Sequence, residues 1–251
     1  MKYFSIKRLF VFVCSLIIIF FSAPLAQAAY VAESNAILDW STFTVMGIDI
    51  GYGEPQISWL SQNEEVSASA NEDYQHDYAY NWNSSLNVVA SDENAKSSAW
   101  IDVENNKMGA SSGSSGNSWA YASASRHGDF QVSGTGIVMF MIDYEINVAL
   151  NNSATDAWAS SYVSIEISNN DYTRWSYSSA EIWKSLWDGE IGSWSDDGML
   201  VAAMFFYDGE IGHFDAWAST DSSSYVPIPS TLLLLGSGLI GVLAIKRRNL
   251  G

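Results

Sequence analysis

The sequence predicts an all-β domain, an antiparallel two-sheet sandwich with jelly-roll-like topology, between an N-terminal signal peptide and a C-terminal single transmembrane helix. Three observations predict the β class. The longest alternating apolar pattern, at residues 137–150, has a period of two residues. Gly, Asn and Asp pairs that form turns recur at short intervals, which is typical of antiparallel hairpins. Helical periodicity is scarce, so we expect at most one short helix.

The N-terminus has the three regions of a secretory signal peptide. Positive charges among the first eight residues precede an apolar stretch at residues 9–21, and Ala26 and Ala28 form a small-residue cleavage pattern. The apolar stretch is shorter than the roughly 20 residues that a bilayer-spanning helix needs. We expect cleavage after Ala28. This removes residues 1–28 with the only cysteine, Cys14, so the mature chain has no disulfide and no thiolate metal ligand.

The part of the chain between its two ends is strongly acidic. The whole chain has 11 Lys and Arg, 28 Asp and Glu, and a formal net charge of −17. Six of the basic residues lie in the terminal segments, which leaves five against 28 acidic residues and a formal charge of −23. Such a surface repels phosphates, so we expect no nucleic-acid partner. We predict one domain at residues 29–218 and a Ser-rich linker at residues 219–225.

Three stretches have the pattern of strands. Within residues 137–150 the even-numbered side chains form one apolar face, and the opposite face is apolar at its start and polar from Asp143 onward. Residues 163–168 alternate in the same way. Residues 199–207 are apolar throughout and predict a short, fully buried strand.

Three further segments are built mostly from Ala and Ser, with an occasional Trp: residues 119–125, 156–160 and 215–219. In strands of this composition, small side chains let neighbouring layers approach closely while the large rings fill gaps. We therefore interpret these segments as packing elements.

Turn signals separate the predicted strands at residues 134–136, 151–152, 169–171, 188–189, 197–198 and 208–209. The best helical pattern covers residues 178–187. There Ser178 and Glu181 have the spacing of a capping box, and the apolar side chains share one helical face. This pattern predicts one short helix.

A near repeat relates residues 187–194 to residues 207–214, each an Asp-Gly-Glu-Ile-Gly turn between two aromatic residues. Duplicated hairpin corners are one interpretation. The other is a calcium site, for which the two loops offer the carboxylates of Asp188, Glu190, Asp208 and Glu210. Two carboxylates per loop fall short of the six to eight oxygens that calcium takes. We expect no other cofactor.

No sequence constellation predicts a catalytic residue. Residues 109–113 match the nucleophile-elbow pattern, but Ser111 lies in a Gly/Ser-rich run that leads into a strand-like segment, not in a strand-to-helix turn. His76, His127 and His213 are far apart in sequence and lack zinc-binding spacing, so we predict isolated surface or packing roles for them.

Eleven tryptophans suggest a carbohydrate-binding surface. Exposed rings would stack on sugar faces, and the candidates are Trp82, Trp100, Trp175 and Trp194. The alternative is that these side chains lie in the core, as large aromatic residues usually do.

The C-terminal segment, residues 226–251, consists of a proline motif, an apolar run at residues 231–245 and a basic cluster at residues 246–248. Positive charge after an apolar run keeps that end in the cytoplasm. The motif comprises Val226, Pro227, Ile228, Pro229 and Ser230, and the basic cluster comprises Lys246, Arg247 and Arg248.

This tail resembles the PEP-CTERM sorting signal, in a Val-Pro-Ile-Pro-Ser variant. The resemblance implies cleavage by an exosortase-type membrane processing enzyme. It also implies a precursor anchored in the inner membrane of a Gram-negative-type envelope, delivery to the cell surface or extracellular space, and an association with exopolysaccharide and biofilm. An ordinary C-terminal membrane anchor is the alternative.

Two functions from different classes stay open. The first is a non-catalytic surface or extracellular-matrix protein that binds polysaccharide, cations or copies of itself. The second is a secreted carbohydrate-active enzyme that uses paired carboxylates. We expect the first, because in so acidic a chain a pair of carboxylates arises by chance. An exposed aromatic platform favours binding, and a cleft with two carboxylates about 5 to 10 Å apart favours the enzyme.

Overall fold

The computed structural model describes residues 31–151, 156–169, 176–187 and 190–225. The predicted signal peptide and sorting segment lie outside these residues. The described part forms twelve strands and no helix, and so contains no helix able to cross a membrane. The strands are β1 Ala32–Asp49, β2 Gln56–Ala70, β3 Asp73–Ala79, β4 Leu86–Asp92, β5 Ala95–Asp102, β6 Lys107–Ser114, β7 Ser118–Ser133, β8 Gly136–Leu150, β9 Trp158–Asn169, β10 Tyr177–Leu186, β11 Gly192–Phe206 and β12 Ile211–Ser224.

The strands form two six-stranded sheets in which every pairing is antiparallel. Sheet A has the order β11-β8-β1-β6-β5-β4, and sheet B has the order β10-β9-β12-β7-β2-β3. A large hydrophobic core lies between the two sheets, and a smaller buried cluster accompanies it, formed by Val31, Ala32, Val148, Leu150, Ala157 and Ala159. At the centre of the large core the rings of Phe140 in β8 and Phe214 in β12 stack with centroids 4.8 Å apart. The predicted all-β class is confirmed, and the two sheets are consistent with a sandwich.

The alternation predicted for residues 137–150 is present in β8. Its even-numbered side chains from Val138 to Leu150 are at most 8% exposed, and on the other face Glu145 and Asn147 are exposed. Strand β9 has the same pattern, with Val163, Ile165 and Ile167 fully buried. These two strands lie in different sheets and contribute facing layers of the core.

The prediction that residues 199–207 form a fully buried strand is wrong for one face. Leu200, Ala202, Met204 and Phe206 of β11 face the core, whereas Met199, Val201 and Phe205 are 55%, 39% and 37% exposed. The strand lies at the edge of sheet A, and among the described residues no third layer covers its outer side. Because the outer face is apolar as well, the sequence of this strand does not show the two-residue alternation.

Strand β11 also contains the Asp197-Gly198 pair that was predicted to form a turn. Gly198 lies opposite Tyr144 of β8. A Cβ atom on Gly198 would lie 3.1 Å from the Tyr144 ring, so this glycine accommodates a close cross-strand contact instead of a turn.

The predicted helix at residues 178–187 is wrong, because residues 178–186 belong to β10, which pairs along its full length with β9. The apolar side chains fit a period of two as well as a helical face. Ile182 packs against the core, and Trp183 points to the opposite face and is 60% exposed. Both supposed capping residues bond elsewhere: Ser178 Oγ accepts the Ala203 N–H at 3.2 Å, and Glu181 accepts the Tyr162 hydroxyl at 3.1 Å.

The predicted turns at residues 134–136 and 208–209 are in the right places but have a different role. The first joins β7 of sheet B to β8 of sheet A, and the second joins β11 of sheet A to β12 of sheet B. These turns are corners between sheets, not hairpins within one sheet.

The Ala/Ser segments at residues 119–125 and 215–219 belong to β7 and β12, and the segment at residues 156–160 leads into β9. These three strands are neighbours in sheet B. The sheets approach so closely beside them that serine hydroxyls reach the backbone of the opposite sheet. Ser34 Oγ donates to the Asp221 carbonyl at 3.1 Å, and Ser161 Oγ lies 2.9 Å from the Asn35 carbonyl. This geometry agrees with the packing role inferred from the composition.

The Ser-rich linker predicted at residues 219–225 is wrong, because β12 continues to Ser224. Thr220, Ser222 and Ser224 face the core and are at most 3% exposed. Small hydroxyl side chains fit where the layers are close, so a composition typical of linkers occurs here in a buried strand.

Candidate functional site

Two His-x-Asp segments meet at the centre of sheet B. His127 and Asp129 lie in β7, and His213 and Asp215 lie in β12. The antiparallel register places His127 opposite Asp215 and Asp129 opposite His213. All four side chains are on the outer face of the sheet, because Phe130 and Phe214, which alternate with them, are buried. We call these four residues the His-Asp cluster.

Each histidine of the His-Asp cluster is held at both ring nitrogens. His213 Nδ1 lies 2.7 Å from Asp129 Oδ1, and its Nε2 lies 3.2 Å from Asp215 Oδ2. His127 Nδ1 contacts Asp215 Oδ1, and its Nε2 lies 3.0 Å from Ser125 Oγ. Asp215 therefore bridges the two imidazoles, with one carboxylate oxygen toward each.

The hydrogen bonds shift the pKa values of the cluster. The bond to Asp215, followed by that to Asp129, outweighs burial and raises the pKa of His213 to about 9. Burial raises the pKa of Asp215, but its bonds with His127 and His213 outweigh burial and hold it below the ordinary range. The Ser61 hydroxyl, which donates to Asp129 at 2.7 Å, lowers the pKa of Asp129 together with His213.

The prediction of isolated roles for the histidines is wrong for His127 and His213. Within the described residues, one group of three or more potential metal ligands has its ligand atoms within 4.8 Å of one another, and it consists of His127, His213 and Asp215. The available signal was the repeated His-x-Asp spacing, which puts both side chains on one face of a strand. The sequence does not show the register of β7 against β12, and so it does not show that the two segments meet.

A buried ion pair fixes β7 directly beneath the cluster. Arg126 Nε donates to Glu64 Oε2 of β2 at 3.0 Å, and the two side chains are 4% and 0% exposed. The guanidinium lies 4.5 Å from the ring centroid of Trp40. Burial raises the pKa of Glu64 and lowers that of Arg126, and the attraction between them opposes both shifts. Removal of either partner would leave an uncompensated buried charge, so single substitutions of Glu64 or Arg126 should be strongly destabilising.

A row of exposed rings runs along β3, an edge strand of sheet B. Tyr74, His76 and Tyr78 project from the outer face of β3, and Tyr80 follows directly after the strand. Successive ring centroids are 6.5, 6.1 and 5.2 Å apart. Glu65 Oε1 of β2 lies 3.0 Å from His76 Nε2 and holds that ring in place. We call these four residues the aromatic ribbon.

The outer face of sheet A has a different character. A concavity of about 400 Å³ is lined by Asp39, Asp143, Glu145, Asp197 and Lys107, among others. Asp39 lies opposite Asp143, and Glu145 lies opposite Asp197. Side chains in such direct pairs have Cβ atoms about 4.5 to 5.5 Å apart. A second concavity of about 420 Å³ is lined mainly by small polar residues, with Glu33 and Lys96.

The two Asp-Gly-Glu turns of the near repeat have the same internal hydrogen bond. Glu190 Oε2 accepts the Trp187 N–H at 3.1 Å, and Glu210 Oε2 accepts the Tyr207 N–H at 2.7 Å. Asp208 Oδ1 accepts the Gly134 N–H at 2.7 Å. The second copy joins β11 of sheet A to β12 of sheet B, which corrects its interpretation as a hairpin corner. Asp188 lies outside the described residues, and the calcium site stays a prediction.

Three of the tryptophans singled out in the sequence are described, and none of them is among the exposed ones. Trp82 and Trp194 pack against the core, and Trp100 is half-buried. Trp175 lies outside the described residues. Among the described tryptophans, the exposed rings belong to Trp119, Trp183, Trp187 and Trp217. Ser111 lies in the middle of β6, and its Oγ is 2.8 Å from Ser98 Oγ on the neighbouring strand, so it is not on a nucleophile elbow.

No protein-family model, no curated protein and no solved structure matches this chain.

Proposed function

We propose that this chain is an exported, non-catalytic surface or extracellular-matrix protein that binds polysaccharide through the aromatic ribbon. Residues 1–28 direct export, and residues 226–251 hold the precursor in the inner membrane until an exosortase-type enzyme processes it. Outside the cell, the two sheets are a jelly-roll-like scaffold that presents the aromatic ribbon to exopolysaccharide in a biofilm.

The exposure and order of the aromatic ribbon carry this proposal. Tyr74, Tyr78 and Tyr80 are 63%, 53% and 79% exposed. Sugar rings have apolar C–H faces and polar edges, so they pack on such rings while phenol hydroxyls take up hydrogen bonds at the edges. Side chains on one face of a strand repeat about every 6.6 Å, which gives an extended polymer several successive contacts. The planes of Tyr74 and His76 are within 8° of each other, and Tyr80 stands edge-on to Tyr78.

The surroundings of the aromatic ribbon favour a polysaccharide over a protein partner. The neighbouring outward residues of β2 are Glu65, Ser67 and Ser69, so the rings stand beside polar side chains. The centre of a protein interface is more apolar than this. The excess of acidic residues repels anionic polymers. A neutral polysaccharide is therefore the preferred ligand.

We expect the full chain to bind neutral glycans on an array and to co-sediment with insoluble neutral polysaccharides such as cellulose. The Tyr74→Ala/Tyr78→Ala double variant should bind about 5- to 150-fold more weakly, because each stacked ring contributes roughly 0.5 to 1.5 kcal/mol and the two together about 1 to 3 kcal/mol. Tyr52→Ala is the matched control, since Tyr52 is 75% exposed in the β1–β2 connection. Equal binding by the double variant and the wild type would contradict the proposal.

The acidic concavity on sheet A supports the second candidate, a secreted carbohydrate-active enzyme with paired carboxylates. Asp143 and Glu145 project from the same face of β8 into this concavity. That face lies on the opposite side of the molecule from the aromatic ribbon. Release of reducing ends from a polysaccharide by the wild type, lost in Asp143→Asn or Glu145→Gln, would establish the enzyme and overturn the non-catalytic proposal.

A further inference from the structure

We propose that His127, His213 and Asp215 form a binding site for one divalent first-row transition-metal ion, with Zn²⁺ as the representative. The site lies at the centre of sheet B, two strands away from the aromatic ribbon. It does not depend on polysaccharide binding.

The three side chains already converge on one point. His127 Nδ1 and His213 Nε2 both face the Asp215 carboxylate, and all three ligand atoms lie within 4.8 Å of one another. Ligands at about 2.0 to 2.2 Å from a tetrahedral zinc ion are roughly 3.3 to 3.5 Å apart. Small side-chain rotations therefore suffice for an ion to replace the protons between Asp215 and the two imidazoles.

The second ring nitrogen of each histidine has the partner that a metal site requires. A histidine that binds a metal through one nitrogen donates the N–H of the other to a carboxylate, carbonyl or similar acceptor. His213 Nδ1 has Asp129 Oδ1 at 2.7 Å, and His127 Nε2 has Ser125 Oγ at 3.0 Å. Asp129 is itself fixed by the Ser61 hydroxyl. Both rings are thus oriented with their other nitrogens toward Asp215.

The backbone that carries the ligands is rigid. All three ligands come from β7 and β12, neighbouring strands in the interior of a six-stranded sheet. The His213 and Asp215 side chains are 42% and 30% exposed, so an ion has access from solvent and free coordination positions for water. Partly open sites of this kind keep one or more positions for an exchangeable ligand.

The donor set selects the class of ion. Two imidazole nitrogens and one carboxylate suit Zn²⁺, Co²⁺, Ni²⁺ or Cu²⁺, whereas Ca²⁺ takes six to eight oxygens. This distinguishes the His-Asp cluster from the acidic turns near Glu190 and Glu210, whose donors are oxygens.

The test uses the full chain without a histidine tag, stripped of metal and titrated with Zn²⁺ by calorimetry. We expect saturable binding of one Zn²⁺ per chain that an excess of Ca²⁺ does not displace. His127→Gln and His213→Gln should each abolish this binding event. Asp129→Asn keeps all three ligands and should weaken it about 10- to 100-fold, as losses of such supporting partners do.

His76→Gln is the matched control, because His76 is the remaining histidine and lies in the aromatic ribbon. Its affinity for Zn²⁺ should equal that of the wild type. Substitution of Co²⁺ should give visible absorption bands in the wild type and in His76→Gln, but not in His213→Gln. Thermal melting without metal shows which variants fold. If a ligand variant does not fold, the Zn²⁺ affinity of Asp129→Asn is the test instead.

Failure of the wild type to bind a stoichiometric Zn²⁺ would overturn the inference and leave the cluster as a hydrogen-bonded ion-pair network. The inference would also be overturned if His76→Gln lost as much Zn²⁺ affinity as the ligand variants, or if Ca²⁺ displaced the bound Zn²⁺. Polysaccharide binding, measured separately with the tyrosine variants, is unaffected by either result.

Discussion

Aspartates on the same face of β12 differ because of what lies across from them. Asp215 faces two histidines, which hold its pKa below the ordinary range against the effect of burial. Asp221 lies between Tyr121 of β7 and Ser160 of β9. Burial there raises the pKa of Asp221 to about 6, although its backbone hydrogen bond with Ser222 acts in the opposite direction. The residue type was visible in the sequence, but the cross-strand neighbours that set its charge were not.

The raised pKa of Asp221 predicts a pH-dependent effect of Asp221→Asn. The pKa of an unfolded aspartate is 3.8, so the stability gained from a protonated Asp221 is complete below about pH 4 and is lost as the pH rises through 6. Above pH 6 the wild type keeps a buried charge that the variant lacks. We expect Asp221→Asn to raise the free energy of unfolding by about 1 to 3 kcal/mol at pH 8, with little gain at pH 4.

Urea denaturation at the two pH values measures this difference. Asp77→Asn is a suitable control, because Asp77 is an exposed residue of β3, and its effect should stay within about 0.5 kcal/mol. A gain for Asp221→Asn that is the same at pH 4 and pH 8 would show that charge burial is not its cause.

Single elements were predictable where one face is apolar and the other polar. Strands β8 and β9 meet that condition and were predicted from alternation alone. Strand β11 does not, because Met199 and Val201 make its outer face apolar as well. In β10 the positions of Ile182 and Trp183 fit a helix and a strand equally, and ten residues of pairing with β9 decide the outcome.

A second prediction of stability concerns the C-terminal half of β12. The Thr220 hydroxyl is buried and has no hydrogen-bond partner within the described part of the chain, whereas the Ser161 hydroxyl reaches the carbonyls of Asn35 and Asn147. Valine has the shape of threonine without the hydroxyl. We expect Thr220→Val to raise the free energy of unfolding by about 1 kcal/mol and Ser161→Ala to lower it by roughly 1 to 2 kcal/mol.

Chemical denaturation of the two variants measures both effects. The result for Thr220→Val also distinguishes a buried strand from a solvated linker. In a solvated linker, a substitution at residue 220 would change the free energy of unfolding by less than about 0.5 kcal/mol. A loss of stability in Thr220→Val comparable with that in Ser161→Ala would contradict the proposed environment of Thr220.

At the scale of the whole molecule, the sequence predicted the class of the fold but not which residues meet on its surface. His127 and Asp215 are 88 residues apart, and His213 and Asp129 are 84 residues apart. Only the register of β7 against β12 brings them together. The aromatic ribbon contains no tryptophan, and only the pairing of β3 with β2 places Tyr74, His76 and Tyr78 together on an outer face.

The two outer faces have separate chemistry. Sheet B presents the aromatic ribbon and the His-Asp cluster, and sheet A presents the acidic concavity. A scaffold of this kind can bind an extended polymer on one face without a cleft between lobes. Binding of an extracellular polysaccharide requires a location outside the cytoplasm, so the proposed function depends on export.

Export is tested directly by fractionation of cells that express this protein. The chain is expressed with and without residues 226–251, each in cells with and without the processing enzyme. We expect the full chain to lose its first 28 residues and to reach the cell surface or medium when the enzyme is present. Without the enzyme it should stay in the inner membrane, and without the tail it should bypass that membrane stage. The proposed export would be contradicted if the chain stayed intact and untrimmed in the soluble cytoplasmic fraction, with the same distribution in all four cases.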